Sequence, residues 1–288
     1  MATFEQARQA VDRLQSTYAK PRLPFTLEPG EPGFLESKVG GTPYLPHGMD
    51  WPLDNQGNAL ILLAQVDCTA LVGLPEFPHS GLLQCFISQT ECFGMDFDDQ
   101  ITPKGFRVLY HETVDPSVTA EEAASKRPPA PEDVDVPLMK DSPCRICFGQ
   151  LEEQGITGTD CSFELLFVQV WNELFPDEHI KAMWDVMGKL DEDEVEQLLN
   201  PENAEDYEGP EIPWHQLGGY PYFTQSDPRG EKERYEEMDT VLFQLDSDSE
   251  RGRDLVLWGD MGIGNFFINR EALKRRDFSR VLYNWDCC

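Results

Sequence analysis

Three short stretches of this chain return, in the same order, about one domain-length further on. Gly40-Gly41-Thr42-Pro43-Tyr44 is echoed by Gly218-Gly219-Tyr220-Pro221-Tyr222. Leu62-Leu63-Ala64-Gln65-Val66-Asp67 is echoed by Val241-Leu242-Phe243-Gln244-Leu245-Asp246, and Arg107-Val108-Leu109-Tyr110 by Arg280-Val281-Leu282-Tyr283. The offsets are 178, 179 and 173 residues. Ordered matches at a near-constant spacing point to an internal duplication. The repeated pieces are turns and apolar strands, so they constrain the scaffold. The nucleophiles and bases of an enzyme are not among them.

Around these anchors the pattern reads as α+β with mainly antiparallel sheets. Thr3 to Ala19 reads as a helix, because Phe4, Ala7, Val11, Leu14 and Tyr18 fall on one stripe. Its apolar face is expected to pack on a sheet, and Pro21 and Pro24 should end it. Residues 59–67, 81–88 and 106–111 read as strands, followed by a proline-rich exposed excursion from Glu121 to Asp141. Cys144 to Leu151 and Phe163 to Val170 read as two more strands. Asp177 to Gly188 and Asp191 to Leu199 read as helices, the second opened by a capping box of Asp191 and Glu194. Strands are expected again around 241–246, 254–258, 265–269 and 280–285, with a short basic helix from Glu271 to Asp277. The organisation is one domain. It comprises an N-terminal helix (1–24), a first repeat (30–170), an acidic helical insert (171–211) and a second repeat (212–288).

The formal net charge is -30, from 53 acidic against 23 basic residues. Such a field repels a phosphate backbone, which disfavours direct nucleic-acid binding, and it steers basic partners. The acid is concentrated: Asp191 to Glu211 holds ten carboxylates and no lysine or arginine. No apolar run is long enough to cross a bilayer, and Met1 to Arg13 lacks an export signal, so a cytosolic setting is expected. Eight cysteines in such a setting are read as reduced thiols. Cys144-Arg145-Ile146-Cys147 has CxxC spacing inside a strand pattern, where no helix dipole would activate a thiol.

No GxSxG, HExxH or Walker A sequence occurs. Gly259 to Gly264 precedes a strand and reads as a turn. Asp246 to Glu250 lacks the glycine and closing acid of a calcium loop. Asp96, Asp98 and Asp99 cluster without an apolar neighbourhood to split their pKa values. His47 and His215 lie on opposite sides of the Gly-Gly turns. No catalytic residue, cofactor or metal ligand is assigned. The candidate partner-binding residues are the aromatic and proline positions of the turns, Tyr44, Pro46, Trp51, Tyr222 and Phe223, and the acidic positions Glu192, Glu194 and Asp206. The turn aromatics have a competing role, which is to staple each turn onto its own sheet.

The paired GG-x-P turns, each followed by an apolar run ending Gln-x-Asp, resemble the bacterial YwqG family. Trp51-Pro52, Gly81-Leu82-Leu83-Gln84 and Trp258-Gly259-Asp260 ahead of Phe266-Phe267-Ile268 add to the resemblance, which spans nearly the whole chain. It implies an α+β fold built by duplication and a distant relation to eukaryotic programmed cell death protein 2. It also implies an escort of a newly made ribosomal protein or an immunity-type role, with no enzymatic activity attached. The expected function is therefore a non-enzymatic, chaperone-like or immunity-like module that binds a basic protein or peptide. A hydrolase or small-ligand enzyme using Asp96, Asp246 or Asp260 is the alternative, and it requires those carboxylates to meet in one cleft with His47 or His215.

Overall fold

In a computed structural model, residues 3–130, 134–138, 143–199 and 214–287 are described. The chain begins with α1 (Phe4–Thr17), β1 (Lys20–Pro29), β2 (Lys38–Val39), β3 (Ile61–Asp67), β4 (Leu82–Ile87) and β5 (Phe106–His111). Next come α2 (Ala120–Ser125), β6 (Cys144–Phe148), β7 (Glu152–Gln154), α3 (Phe163–Leu174), α4 (Trp184–Met187) and α5 (Glu192–Leu199). The last part holds β8 (Gln216–Gly218), β9 (Thr240–Asp246), β10 (Asp248–Glu250), β11 (Arg253–Val256), β12 (Ile263–Ile268), α6 (Arg270–Lys274) and β13 (Val281–Asp286). One large antiparallel sheet runs β13-β12-β9-β8-β1-β6-β2-β3-β4-β5 and curls into a nearly closed barrel, with β7 also paired to β1. β10 and β11 form a separate hairpin.

Two strand pairs carry the inner core. β3 against β4 has a bulge between Leu62 and Ala64, and β9 against β12 has one opposite the step from Phe266 to Phe267, where Val241 and Phe243 are the partners. Each bulge puts two successive apolar residues, Leu63-Ala64 and Leu242-Phe243, into one core. On the outer face an amide clamp holds each Gly-Gly turn. The Tyr44 N–H donates to Gln65 Oε1 at 3.0 Å, and Gln84 Nε2 donates to the Tyr44 carbonyl at 2.9 Å. The Tyr222 N–H donates to Gln244 Oε1 at 2.9 Å, and Asn265 Nδ2 donates to the Tyr222 carbonyl at 3.0 Å. Gly219 needs its glycine: φ is +69°, and a Cβ there would stand 2.1 Å from Gln154 Oε1.

A helical layer lies beside the barrel. The Thr3–Gln6 capping box starts α1, whose buried Ala7, Ala10, Val11 and Leu14 meet Phe163, Phe167 and Trp171 of α3. This corrects the expectation that α1 would pack on a sheet. The expected strand at Phe163 to Val170 is also corrected to a helix. Its buried residues Phe163, Phe167, Val170 and Trp171 repeat at helical spacing, while Leu165 is 71% exposed. The run is so uniformly apolar that its sequence hides which period applies. Of Asp177 to Gly188, one helical turn (α4) forms. The α5 capping box is present, with the Glu194 N–H donating to Asp191 Oδ1 at 2.8 Å.

Pro21 and Pro24 do not sit in a connecting loop. They belong to β1, the strand that joins the two halves of the sheet by pairing with β8 on one side and with β6 and β7 on the other. Proline removes only a donor, and the carbonyls of Pro21 and Pro24 accept from the N–H groups of Gly219 and Gly149. Among the described residues, no helix is long and apolar enough to cross a membrane.

Candidate functional site

The sequence-derived aromatic positions separate into two groups. Tyr44, Trp51 and Phe223 are buried. The Tyr44 hydroxyl accepts from the Asp115 N–H, Trp51 Nε1 donates to the Leu60 carbonyl, and Phe223 stacks on Phe267. They staple their turns to the sheet, which corrects the reading of these three as an exposed contact patch. Pro46 is half-buried beside Tyr44 and His111 at a shallow hollow of about 430 Å³. Glu192 is exposed on α5, Glu194 is half-buried in its capping box, and Asp206 lies outside the described residues.

Tyr222 is different. It is half-buried and stacks on Trp214 with ring centroids 5.4 Å apart and planes 7° from parallel. The Arg22 guanidinium lies 5.5 Å from the Trp214 ring. These groups form one wall of a cleft of about 430 Å³ between α1, residues 154–159 and the end of α5. Phe4, Val11, Ile156, Leu198 and Leu199 supply its apolar lining, and Arg8, Asp12 and Gln197 reach its rim.

Three charged residues line the cleft, Arg8, Asp12 and Arg22, and the helix whose end closes it, α5, is acidic. Each lining arginine already has a carboxylate: Arg8 pairs with Glu5 at 2.8 Å, and Arg22 Nε donates to Glu152 Oε1 at 2.7 Å. Asp191, Glu192, Asp193, Glu194 and Glu196 follow one another at and along α5 with no lysine or arginine among residues 191–199. Sequence reasoning had marked Tyr222, Glu192 and Glu194. It missed Arg22 and Trp214, because the Arg22–Trp214 contact joins residues on paired strands and their flanks far apart in sequence.

The groups considered for catalysis do not converge. Asp96 is held by Lys104 at 2.5 Å and by the N–H groups of Asp98 and Asp99, which keep its carboxyl below the usual range. Asp246 accepts from the Trp214 and Ser247 N–H groups, and burial nevertheless pushes its pKa up. Asp260 is exposed in the turn before β12. His47 lies 2.8 Å from Glu122 and 3.1 Å from Ser117. His215 is buried; its Nδ1 accepts from the Asp246 N–H, so its proton sits on Nε2, 3.2 Å from Asp248. Both ring nitrogens of His215 are thereby occupied by structure.

Cys144 and Cys147 point to opposite faces of β6, as a spacing of three requires in a strand. Burial raises the Cys144 thiol to about 11, and burial with Glu28 nearby raises Cys147. Among the described residues, one group of three ligand-type atoms converges: Asp160, Cys161 and Asp227. A cation already serves it. Arg229, itself buried, bonds Asp160 at 2.8 Å and Asp227 through several contacts, and it lies 4.5 Å from the Phe267 ring. The Cys161 N–H and the Ser162 N–H and hydroxyl take up further carboxylate oxygens.

The fold and cleft define an α+β protein with an apolar, aromatic-walled surface hollow under an acidic helix. The chain belongs to the family described as Domain of unknown function (DUF1963), whose model matches residues 37–287. No curated protein matches the sequence.

Proposed function

We propose that this chain is a non-enzymatic protein-binding module, chaperone-like or immunity-like, that takes a basic segment of a partner into the cleft beside α5. The apolar hollow walled by Trp214 and Tyr222, closed by the end of the acidic helix α5, carries this reading. An apolar floor supplies burial and the stacked pair supplies a rigid contact of low entropic cost, while the carboxylates of the adjoining helix α5 favour a cationic sequence. Membership in the matched family is consistent with the YwqG resemblance, from which the escort-like and immunity-like roles are taken.

We also infer that the two halves descend from one duplicated unit. The matching bulges, the matching amide clamps and the matching Gly-Gly turns support this. Each unit then sets a hollow against its turn tyrosine, Tyr44 in one and Tyr222 in the other.

Affinity capture with the tagged chain, at low and at moderate salt, tests the reading. A basic protein recovered in stoichiometric amount, shed as salt rises and lost from the Glu192→Lys, Glu194→Gln double variant, which keeps the α5 cap, is the expected result. Recovery that ignores both salt and the double variant would sink it.

A further inference from the structure

We propose that the outer edge of β5 is a strand-addition site for an extended, basic segment of a partner protein. The backbone geometry carries the extended part; the basic part rests on the partner chemistry argued above, at a different surface.

The Ser88 N–H donates to the Gly105 carbonyl at 2.7 Å, which makes these two a hydrogen-bonded pair of the β4–β5 ladder. From there the register steps without a bulge, from Ile87 opposite Phe106 to Leu82 opposite His111. Antiparallel ladders alternate, so Arg107, Leu109 and His111 turn their peptide groups toward β4. Phe106, Val108 and Tyr110 turn theirs away. β5 ends the sheet, and among the described residues no strand pairs with it on that side. The Phe106 carbonyl is taken by the Arg107 guanidinium. Among the described residues, the N–H and C=O groups of Val108 and Tyr110 have no hydrogen-bond partner.

The opposite end of the sheet is handled differently. On β13, the Tyr283 N–H donates to the Gln100 carbonyl at 3.0 Å, and Gln100 Nε2 donates to Asn284 Oδ1. The segment before β5 thus bonds the β13 edge. Across the seam of the barrel β5 meets side chains, Phe106 against Tyr283 and Tyr110 against Phe278, and among the described residues the outward peptide groups of Val108 and Tyr110 stay unpaired. β5 contains no proline, lysine or bulge, and its one edge charge, Arg107, folds back onto the Pro103 and Phe106 carbonyls, away from Val108 and Tyr110. Val108 and Tyr110 are half-buried against the barrel core, so they present apolar side chains beside their unpaired peptide groups.

Outward N–H and C=O pairs on every second residue fit another extended backbone. A second copy of this chain is disfavoured as the occupant, since it would bring a net charge of -30 against the same charge. A basic strand reduces that charge. Just beyond His111, Glu112 and Asp115 are exposed, and Glu112 has no hydrogen bond or ion pair among the described residues. Of the nearby bases, Arg276 is held by bonds to neutral carbonyls, so its charge remains beside Tyr110. Arg276 bonds the Glu76 and Phe77 carbonyls, Arg280 bonds Glu237, and Arg275 stands near Asp277.

The probe is a short synthetic peptide alternating lysine with valine, added to the full chain, with amide exchange read residue by residue by NMR. The amides of Val108 and Tyr110 are expected to become protected. Methylating alternate backbone nitrogens of the peptide should weaken binding by roughly tenfold, about the worth of one backbone hydrogen bond. Val108→Pro should do the same, since it removes an outward N–H and no bond to β4. Absent binding, unchanged exchange at Val108 and Tyr110, or equal binding of the methylated peptide would each overturn the site. Equal binding of a glutamate–valine peptide would overturn the basic occupant. The Glu192→Lys, Glu194→Gln variant should keep the edge protection, so failure at the cleft and failure at the edge are read separately.

Discussion

At the scale of single residues, Arg229 and Asp286 bear the largest electrostatic consequences. Arg229 ties Asp160, at the entry to α3, to Asp227 in the connection between β8 and β9, and lies over Phe267 of β12, so it fastens the helical layer to the barrel. Removing it leaves two buried carboxylates without a cation, and Arg229→Ala should cost about 3–5 kcal/mol in urea unfolding. A loss below about 1 kcal/mol, the range of exposed pairs, would show that the network is not buried in solution. Asp286 works in the opposite sense. Burial lifts its pKa to about 6, although the Gln225 N–H donates to it. The folded state therefore holds this proton more tightly than the unfolded chain. The stability gained is complete below the unfolded value, declines as pH rises, and is gone above about 6. Asp286→Asn should thus match the wild type near pH 4 and exceed it by roughly 2–3 kcal/mol at pH 7. A difference that does not grow over that interval would contradict the assigned burial.

At the scale of elements, α3 offers a direct test of periodicity. In a strand, Phe163, Leu165 and Phe167 would share a face and all be buried; in the helix Leu165 is exposed and Phe167 is buried. Leu165→Asp should therefore change stability by less than about 0.5 kcal/mol, whereas Phe167→Ala should cost about 3–5 kcal/mol. Comparable losses would favour the strand. This element also marks where the sequence stops being legible. Strands 3, 4, 5, 9, 12 and 13 were readable because short apolar runs lie between turn residues, and α1 and α5 because their caps and stripes are explicit. The α3 run shows no polar phase, so neither period can be chosen from it. β1 was hidden by two prolines, which read as breakers until the partner carbonyl bonds are seen. The cleft was half legible: the acidic helix that closes it and Tyr222 stand out in sequence. Trp214 and Arg22 gain their roles through β1–β8 pairing, which no local pattern encodes.

At the scale of the whole molecule, a net charge of -30 and one shaped cleft contribute to binding in separable ways. The field acts at long range and sets how often a basic partner arrives; the Trp214–Tyr222 wall acts on contact and sets how long it stays. Glu192→Lys with Glu194→Gln changes the local field of α5 and keeps both its capping box and the wall. Its effect should fall mainly on the association rate, and raising salt should shrink the difference from wild type because screening reaches about 8 Å at physiological ionic strength. Trp214→Ala keeps the charge and removes the stacked contact, so its effect should fall on the dissociation rate and persist at high salt. Surface-plasmon kinetics on the captured basic partner, across a salt series, separates the two. A charge variant that alters only dissociation, or a Trp214 variant that alters only association, would mean that the acidic helix is itself the contact and the cleft beside it is not.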